Sequence, residues 1–118
     1  MSIILVDFDQ TICLGESYPD PSKGKPNVRL IKYLTLAREY GHKIILNTMR
    51  EGELLDTAVM WCMDRGIAFD AINDNLPEMV EKWGCNPRKV YGDLIIDDHN
   101  AICGIGKKLP KLKRKVNK

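Results

Sequence analysis

The chain has 118 residues, with 18 Lys or Arg and 16 Asp or Glu, giving a net charge of +2. This length suits one domain, and 44% hydrophobic with 29% charged residues excludes a disordered chain, a coiled coil or a disulfide scaffold. The charge is unevenly divided, because residues 107–118 hold seven basic residues and no acid, leaving 11 basic and 16 acidic residues before them. We therefore expect an acidic domain over residues 1–106 and a basic, flexible tail over residues 107–118.

The cysteine and apolar patterns exclude several other classes. The four cysteines show no C-x-x-C spacing, and with two histidines in the chain a zinc site is not expected. Free thiols are typical of a reducing compartment, so we expect a cytoplasmic protein. No run of 18 apolar residues occurs, and the short apolar start lacks the basic region of a signal peptide. We therefore expect no membrane association.

The first part of the chain predicts a strand, a loop and a helix. Residues 2–6 are almost wholly apolar, as in a strand that is buried on both faces of a parallel sheet. Residues 13–26 contain three prolines and two glycines, which indicates a loop or flap. Asn27 can then cap a helix with one apolar face, and Gly41 ends it.

The remaining elements continue this alternation. Residues 43–47 predict a second strand, residues 54–62 a second helix that closes at Gly66, and residues 67–73 a weaker strand. Asn75 and Glu78 have the spacing of a capping box, which opens a short helix ending at Gly84. Residues 94–96 form the last apolar run.

Alternating strands and helices predict an α/β fold with an open, mainly parallel sheet. Right-handed crossovers place the carboxyl ends of all strands at one edge, where ligands bind in such sheets. Polar residues follow each predicted strand, and we expect them to converge there. They are Asp7, Asp9, Asn47, Thr48, Asn73, Asp74, Asp97 and Asp98.

The acidic residues of this group predict a cation site. Four carboxylates in one crevice repel one another unless a cation offsets their charge. Mg²⁺ suits this donor set, since it takes one or two carboxylates together with waters and a substrate phosphate. Positive charge comes from Arg88 or Lys89, provided that a turn at Gly92 returns the chain to the same edge.

These residues resemble the motifs of the haloacid dehalogenase-like (HAD) hydrolases. Residues 7–11, DFDQT, resemble the D-x-D-x-T motif, and Thr48 after an apolar strand resembles the second motif. Arg88 or Lys89 is the candidate third motif, and residues 94–98, LIIDD, resemble the acidic fourth. Residues 92–98 are also similar to the corresponding stretch of 5′(3′)-deoxyribonucleotidases. The resemblance covers nearly the whole chain before the basic tail and implies a Rossmann-like, HAD-type three-layer domain.

The resemblance also implies phosphoryl transfer through an aspartyl-phosphate. Asp7 would be the nucleophile, and Asp9 would protonate the leaving oxygen and later deprotonate the attacking water. Thr48 and Lys89 would bind the phosphoryl oxygens, with Thr11, Arg50 and Arg88 as further substrate-binding residues. The Mg²⁺ ligands would be Asp7, Asp9 (through its backbone carbonyl), Asp97 and Asp98.

The sequence departs from the family in two places. Gln10 stands where the family usually has glycine, so its side chain would constrain the backbone beside the catalytic acid. The segment 13–26 is too short for a folded cap domain, which implies an open site. An open site favours a large or protruding substrate, such as a nucleotide or nucleic-acid end, or closure by a partner subunit in a homo-oligomer.

Other interpretations of the same residues stay open. A phosphoaspartate regulator needs a similar acid cluster, although receivers place the phosphorylated aspartate after a central strand. The basic tail can instead make salt-sensitive contacts with nucleic-acid phosphates, or be a solvated end. Arg50 is at least as well explained as a solvated first-turn arginine, and His99 as a surface imidazole.

Overall fold

The computed structural model describes residues 1–98. His99 and the basic tail, residues 107–118, lie outside this range, as does the predicted domain boundary at residue 106. The elements in chain order are β1 Ile3–Val6, β2 Cys13–Gly15, β3 Gly24–Pro26, α1 Val28–Glu39, β4 Lys43–Leu46, α2 Gly52–Met63, β5 Ala71–Ile72, α3 Pro77–Trp83 and β6 Leu94–Ile96.

The main sheet has four strands in the order β5-β4-β1-β6, and every pairing in it is parallel. β1 lies in the interior, where Val6 pairs with Leu46 on one side and Ile96 on the other. All four residues of β1 are buried, as expected for a strand covered on both faces. Residues 1–98 thus form a single Rossmann-like α/β domain, in agreement with the sequence.

Each face of the sheet carries its own apolar cluster. Ile4, Val6 and Ile44 point toward α1 and α2, where they pack with residues such as Leu34 and Trp61. On the opposite face, Ile3, Leu5 and Ile45 pack with Leu76, just before α3, and with the partly buried Met79. Because side chains alternate along a strand, one apolar run supplies both cores. The result is the expected three-layer arrangement.

Two helix ends follow the predicted chemistry. The Asn27 side chain accepts a hydrogen bond from the Leu30 backbone N–H at 3.2 Å, which caps α1. Gly84 ends α3 with φ at 73°, in the left-handed region that glycine enters without steric cost.

The capping box predicted for Asn75 and Glu78 is wrong. The residue preceding α3 is Leu76, with no side-chain cap, and Pro77 begins the helix. Asn75 is buried instead, and its side chain bonds to the segment that precedes β6. Pro77 has no N–H to satisfy, so this helix start depends less on a cap.

The third strand is shorter than residues 67–73. The Asp70 carboxylate accepts the Ile44 backbone N–H at 2.8 Å, while the Asp70 N–H donates to the Ile44 carbonyl at 2.7 Å. The Asp70 carboxylate therefore accepts the hydrogen bond that a backbone carbonyl of a paired strand would accept, and regular strand pairing begins only at Ala71.

The flap predicted over residues 13–26 is an antiparallel hairpin. β2 pairs with β3, and a 3-10 turn at Pro21–Lys23 lies between them. With only three residues in each strand, the hairpin is too small to form a folded domain. Among residues 1–98, no helix is long and apolar enough to cross a membrane.

Candidate functional site

Three backbone hydrogen bonds extend the sheet ladder to its carboxyl edge. The Asp7 N–H donates to the Ile96 carbonyl at 3.0 Å, and the Asn47 N–H donates to the Val6 carbonyl at 2.8 Å. The Asn73 N–H donates to the Leu46 carbonyl at 2.7 Å. The residues that follow these strands are therefore held side by side, so the predicted convergence holds for Asp7, Asn47 and Asn73. It does not hold for Asp74, whose carboxylate accepts the Asn75 N–H and the Asn86 side-chain amide instead.

A polar pocket of about 230 Å³ opens at this edge. Its polar lining comes from three of the four converging segments, through Asp7, Asn47, Thr48 and Asp97. Met49 also lines it and is fully exposed, so it lies at the mouth. Asn73 holds the segment that follows β4 in place, because its side-chain oxygen accepts the Thr48 N–H at 2.7 Å. We refer to this cavity as the carboxyl-edge pocket.

Asp7 lies half-buried in the carboxyl-edge pocket, and its pKa is raised above the ordinary value of 3.8. Burial is the main cause, since it disfavours the charged form, and the negative charges of Asp98 and Asp9 act in the same direction. The Phe8 N–H donates to the carboxylate at 2.7 Å, and the Thr48 hydroxyl also stabilises its charge. A nearby cation would therefore stabilise the ionised form of the Asp7 side chain.

The Asp9 carboxylate does not line the carboxyl-edge pocket and pairs with Arg50. The guanidinium donates from Nε to Oδ2 and from Nη2 to Oδ1, each at 2.8 Å, and the Ser17 hydroxyl donates to Oδ1 at 2.8 Å. Burial opposes ionisation of Asp9, but the hydrogen bonds from Arg50 and Ser17 and the Arg50 charge outweigh it. The pKa of Asp9 is therefore below 3.8, and the group is a carboxylate at neutral pH.

Arg50 is 4% exposed, so its interpretation as a solvated first-turn arginine is wrong. Two of its N–H groups bind Asp9, and the other three donate to the backbone carbonyls of Ser17, Pro19 and Leu54. All five donors of the guanidinium are thereby used. The prediction that Arg50 binds substrate is also wrong, because no N–H of its guanidinium remains for a phosphate.

The Arg50 guanidinium also lies between two aromatic rings. Its central carbon is 4.8 Å from the ring centre of Phe8 and 5.1 Å from that of Tyr18. A planar, weakly hydrated cation suits such an enclosure better than an ammonium group does. Arg50 therefore joins the hairpin of residues 13–26 to β1 and α2.

Thr11 and Gln10 support the backbone beside Asp9. Thr11 is fully buried and its hydroxyl lies 3.5 Å from the Asp9 carbonyl, so the structure does not support Thr11 as a substrate-binding residue. Gln10 has φ at 59°, the left-handed region that favours glycine. Its N–H donates to the Cys13 carbonyl and its side chain bonds to the Gly15 carbonyl. These bonds offset the steric cost of a side chain in this conformation, at a position where the HAD hydrolases that the sequence resembles usually have glycine.

The structure does not bring Arg88 or Lys89 into the lining of the carboxyl-edge pocket. Both are exposed, and Lys89 lines a separate cleft next to it. The chain does bend at Asp93, whose N–H donates to the Ile3 carbonyl at 2.7 Å. That bond fixes the start of β6 at the amino end of the sheet. The segment before it, however, is held by Asn75 rather than directed toward Asp7.

The donor set at the carboxyl edge fits Mg²⁺ in its chemistry. Within the described part of the chain, no three Asp, Glu, His or Cys side chains are arranged as a metal site. Mg²⁺ needs fewer, because it keeps several waters and uses one or two carboxylates with substrate oxygens. Asp7 and Asp97 line one pocket, and the Asp98 charge acts on Asp7. The Asp9 carboxylate is engaged with Arg50, which leaves its backbone carbonyl for the assigned role.

Two residues of this site were missed by the sequence analysis. Ser17 is buried and bonds to Asp9, but a serine in a turn-rich loop gives no signal of that contact. Asn75 was assigned to a cap. Its position just after a predicted strand was the available signal, and the structure shows it buried, where an amide must find several partners.

No family model matches the chain, and no curated protein does. Among solved structures, a conserved protein from Bacteroides thetaiotaomicron matches with 39% identity and a TM-score of 0.70, over 93% of this chain and 82% of that one.

Two further matches are chains from structures of the Pnkp1/Rnl/Hen1 RNA repair complex. One has 19% identity and a TM-score of 0.53 over 61% of this chain and 25% of its own. The other has 16% identity and a TM-score of 0.55 over 79% and 37%. These two show a shared fold. Since the first match is both extensive and close in sequence, this chain belongs to the family of the conserved Bacteroides thetaiotaomicron protein.

Proposed function

We propose that this chain is a Mg²⁺-dependent phosphomonoester hydrolase of the HAD type that works through an aspartyl-phosphate on Asp7. The observation that carries the proposal is the carboxyl-edge pocket, where Asp7 lies with Thr48 and Asp97 at the ends of three adjacent parallel strands. This is the arrangement that the resemblance to HAD hydrolases implies.

In the first step, an Asp7 oxygen attacks the phosphorus and the bond to the leaving oxygen breaks. The leaving oxygen takes a proton from Asp9 and departs as an alcohol. Water then attacks the phosphorus of the aspartyl-phosphate while Asp9 takes its proton. Inorganic phosphate leaves, and Asp7 returns as a carboxylate. Asp7, Asp97 and the Asp9 carbonyl, with Asp98 nearby, would hold Mg²⁺, which would supply charge neutralisation.

Because Arg50 keeps Asp9 ionised, Asp9 is prepared for the second half of the cycle, in which it accepts a proton from water. As a carboxylate, Asp9 can accept the proton of the attacking water but cannot donate one to the leaving oxygen. A dianionic phosphate in the adjacent pocket adds negative charge, which raises the pKa of a neighbouring carboxyl group. We infer that substrate binding supplies the protonated form that the first step requires.

The proposed substrate class is a nucleotide or the phosphorylated end of a nucleic acid. The similarity of residues 92–98 to 5′(3′)-deoxyribonucleotidases supports it. So does the fold shared with chains of an RNA repair complex. A hairpin in place of a folded cap leaves room for a large substrate.

The experiment is p-nitrophenyl phosphate hydrolysis with Mg²⁺ and with a chelator, repeated for Asp7→Asn. We expect hydrolysis that needs Mg²⁺ and disappears in Asp7→Asn. Asp56→Asn is the matched control, because Asp56 is an exposed aspartate on α2 outside the carboxyl-edge pocket. Phosphatase activity that survives in Asp7→Asn would rule out the mechanism.

A phosphoaspartate regulator is the second candidate, and the Asp9–Arg50 pair is the observation that favours it. A carboxylate held ionised by two neighbours slows proton donation and therefore turnover. A phosphorylated chain that stays stable for hours after transfer to Asp7 would favour the regulator, whereas rapid release of phosphate would favour the hydrolase.

A further inference from the structure

A second cleft lies beside the carboxyl-edge pocket on the α3 side of the sheet. It has a volume of about 510 Å³ and an apolar wall that includes Trp83, Tyr91 and Ile95. Lys89 places a cation in the lining, and Cys85 places a thiol there. We refer to this space as the aromatic cleft. Its lining among the described residues, apolar apart from the Lys89 cation, suits an aromatic ligand that also carries negative charge.

Two aromatic rings in the aromatic cleft form a surface on which a planar ligand can stack. Trp83 and Tyr91 meet edge to face, with their ring centres 5.8 Å apart and an interplanar angle of 86°. Trp83 is 36% exposed and Tyr91 is 45% exposed, so ring surface remains open to a ligand. Exposed aromatic faces are the surfaces on which proteins stack nucleobases.

The wall of the cleft is held in place by neighbouring residues. The Tyr91 N–H donates to Asn75 at 2.7 Å, and the Tyr91 hydroxyl donates to Asp93 at 2.8 Å. Asn75 also donates to the carbonyls of Pro87 and Lys89, at 3.1 and 3.2 Å. This segment has no helix or strand of its own, and a buried amide fixes it. The cleft is therefore largely formed before any ligand binds.

The aromatic cleft and the carboxyl-edge pocket share a wall. Ile95 lines both, and it lies two residues before Asp97 on β6. A strand rises about 3.3 Å per residue, so Ile95 lies roughly 7 Å from Asp97 along β6. A ligand that lies across Ile95 therefore reaches both spaces, as the sugar of a nucleotide joins its phosphate to its base.

We propose that the aromatic cleft binds the base of a phosphorylated nucleoside whose phosphate occupies the carboxyl-edge pocket. This inference rests on the proposed phosphatase function and specifies its substrate class. The base would contact Trp83 and Tyr91, and Lys89 would face the ligand's negative charge. Lys89 would then act in recognition next to the site of phosphoryl transfer.

The first experiment compares kcat/KM for adenosine 3′- and 5′-monophosphate with kcat/KM for ribose 5-phosphate, which has no base. We expect the wild-type chain to favour one of the nucleotides. Trp83→Ala should lower the nucleotide-to-sugar ratio at least about tenfold, the scale expected for loss of one base-stacking surface. Trp83→Phe should recover most of the ratio, and Met63→Ala, an exposed residue on α2, should leave it unchanged.

The second experiment needs no turnover. Cys85 is exposed in the cleft, so iodoacetamide should alkylate it, and peptide mapping of the intact chain reports its modification alone. We expect an adenosine monophosphate to slow this alkylation and ribose 5-phosphate to leave it unchanged. Protection of Cys85 without hydrolysis would support the cleft and overturn the phosphatase function.

Three results would overturn the base-binding inference while leaving the phosphatase function intact. The first is hydrolysis with an equal ratio in wild type and Trp83→Ala. The second is alkylation of Cys85 at the same rate with and without nucleotide. The third is a Cys85 that resists iodoacetamide in the intact chain, because the cleft would then be closed to ligands.

Discussion

The Arg50 guanidinium and the Asp9 carboxylate form a bidentate pair with both N–O distances at 2.8 Å, and the Arg50 side chain is almost completely buried. Two sequence segments 41 residues apart are joined by this contact. It holds the hairpin of residues 13–26 against the sheet and sets the protonation state of the residue proposed as acid and base.

Removal of the Arg50 side chain should destabilise the fold. Arg50→Ala leaves Asp9 without its cation and three backbone carbonyls without their donor, and breaking such a pair costs about 3 kcal/mol in the free energy of unfolding. Urea denaturation measures the loss. Arg38→Ala is the matched control, since its ion pair with Asp70 is 3.2 Å long and its side chain is 42% exposed. That change should cost less than about 1 kcal/mol. Equal losses in the two variants would contradict the account.

The same pair should make stability depend on pH. Asp9 titrates near 3.8 in the unfolded chain and below that value in the folded one, so folding favours its ionised form. The contribution is fully present above pH 3.8 and is lost as the pH falls through the folded pKa. The gap in unfolding free energy between wild type and Asp9→Asn should therefore narrow below about pH 4. A gap that widens as the pH falls would reverse the assigned direction.

The proton that Asp9 donates should matter most for poor leaving groups. The p-nitrophenolate ion leaves without a proton, whereas an alkoxide does not. We expect Asp9→Asn to reduce kcat/KM, which reports formation of the aspartyl-phosphate, by about 10²- to 10⁴-fold for an alkyl phosphate, and much less for p-nitrophenyl phosphate. Steady-state kinetics with both substrates tests this difference, and Asp7→Asn should remove both activities. An equal loss for both substrates in Asp9→Asn would argue against its role as the acid.

Asn75 should contribute strongly to stability although it lies in no helix or strand. Its side chain accepts one backbone N–H, from Tyr91, and donates to the carbonyls of Pro87 and Lys89. Asn75→Ala leaves these buried groups without partners, at a cost of about 2 to 3 kcal/mol in unfolding free energy. Glu81→Gln, an exposed change on α3, should stay within about 0.5 kcal/mol. Chemical denaturation compares them, and a loss for Asn75→Ala as small as for Glu81→Gln would remove Asn75 from this role.

The sequence predicts the sheet and the helices because apolar periodicity depends on neighbours along the chain. The buried run of residues 3–6 and the cap at Asn27 are local signals of this kind. The convergence of Asp7, Thr48 and Asp97 follows as well, since parallel strands end at a common edge.

What the sequence does not predict depends on contacts between distant segments. Arg50 and Asp9 lie 41 residues apart, and Asn75 and Tyr91 lie 16 residues apart, so only the folded chain brings them together. The predicted place of Lys89 at the carboxyl edge is wrong for the same reason. The turn before β6 does occur, but Asn75 determines the path of the chain leading to it.

The central claim is that Asp7 carries the phosphoryl group, and trapping that intermediate tests it most directly. The chain is mixed with substrate and Mg²⁺, quenched with acid and reduced with borohydride, which converts a phosphorylated aspartate to homoserine. Peptide mass spectrometry then locates the converted residue. We expect conversion at Asp7 in the wild-type chain and none in Asp7→Asn. Phosphate release with no conversion at Asp7, or conversion at another aspartate, would contradict the account.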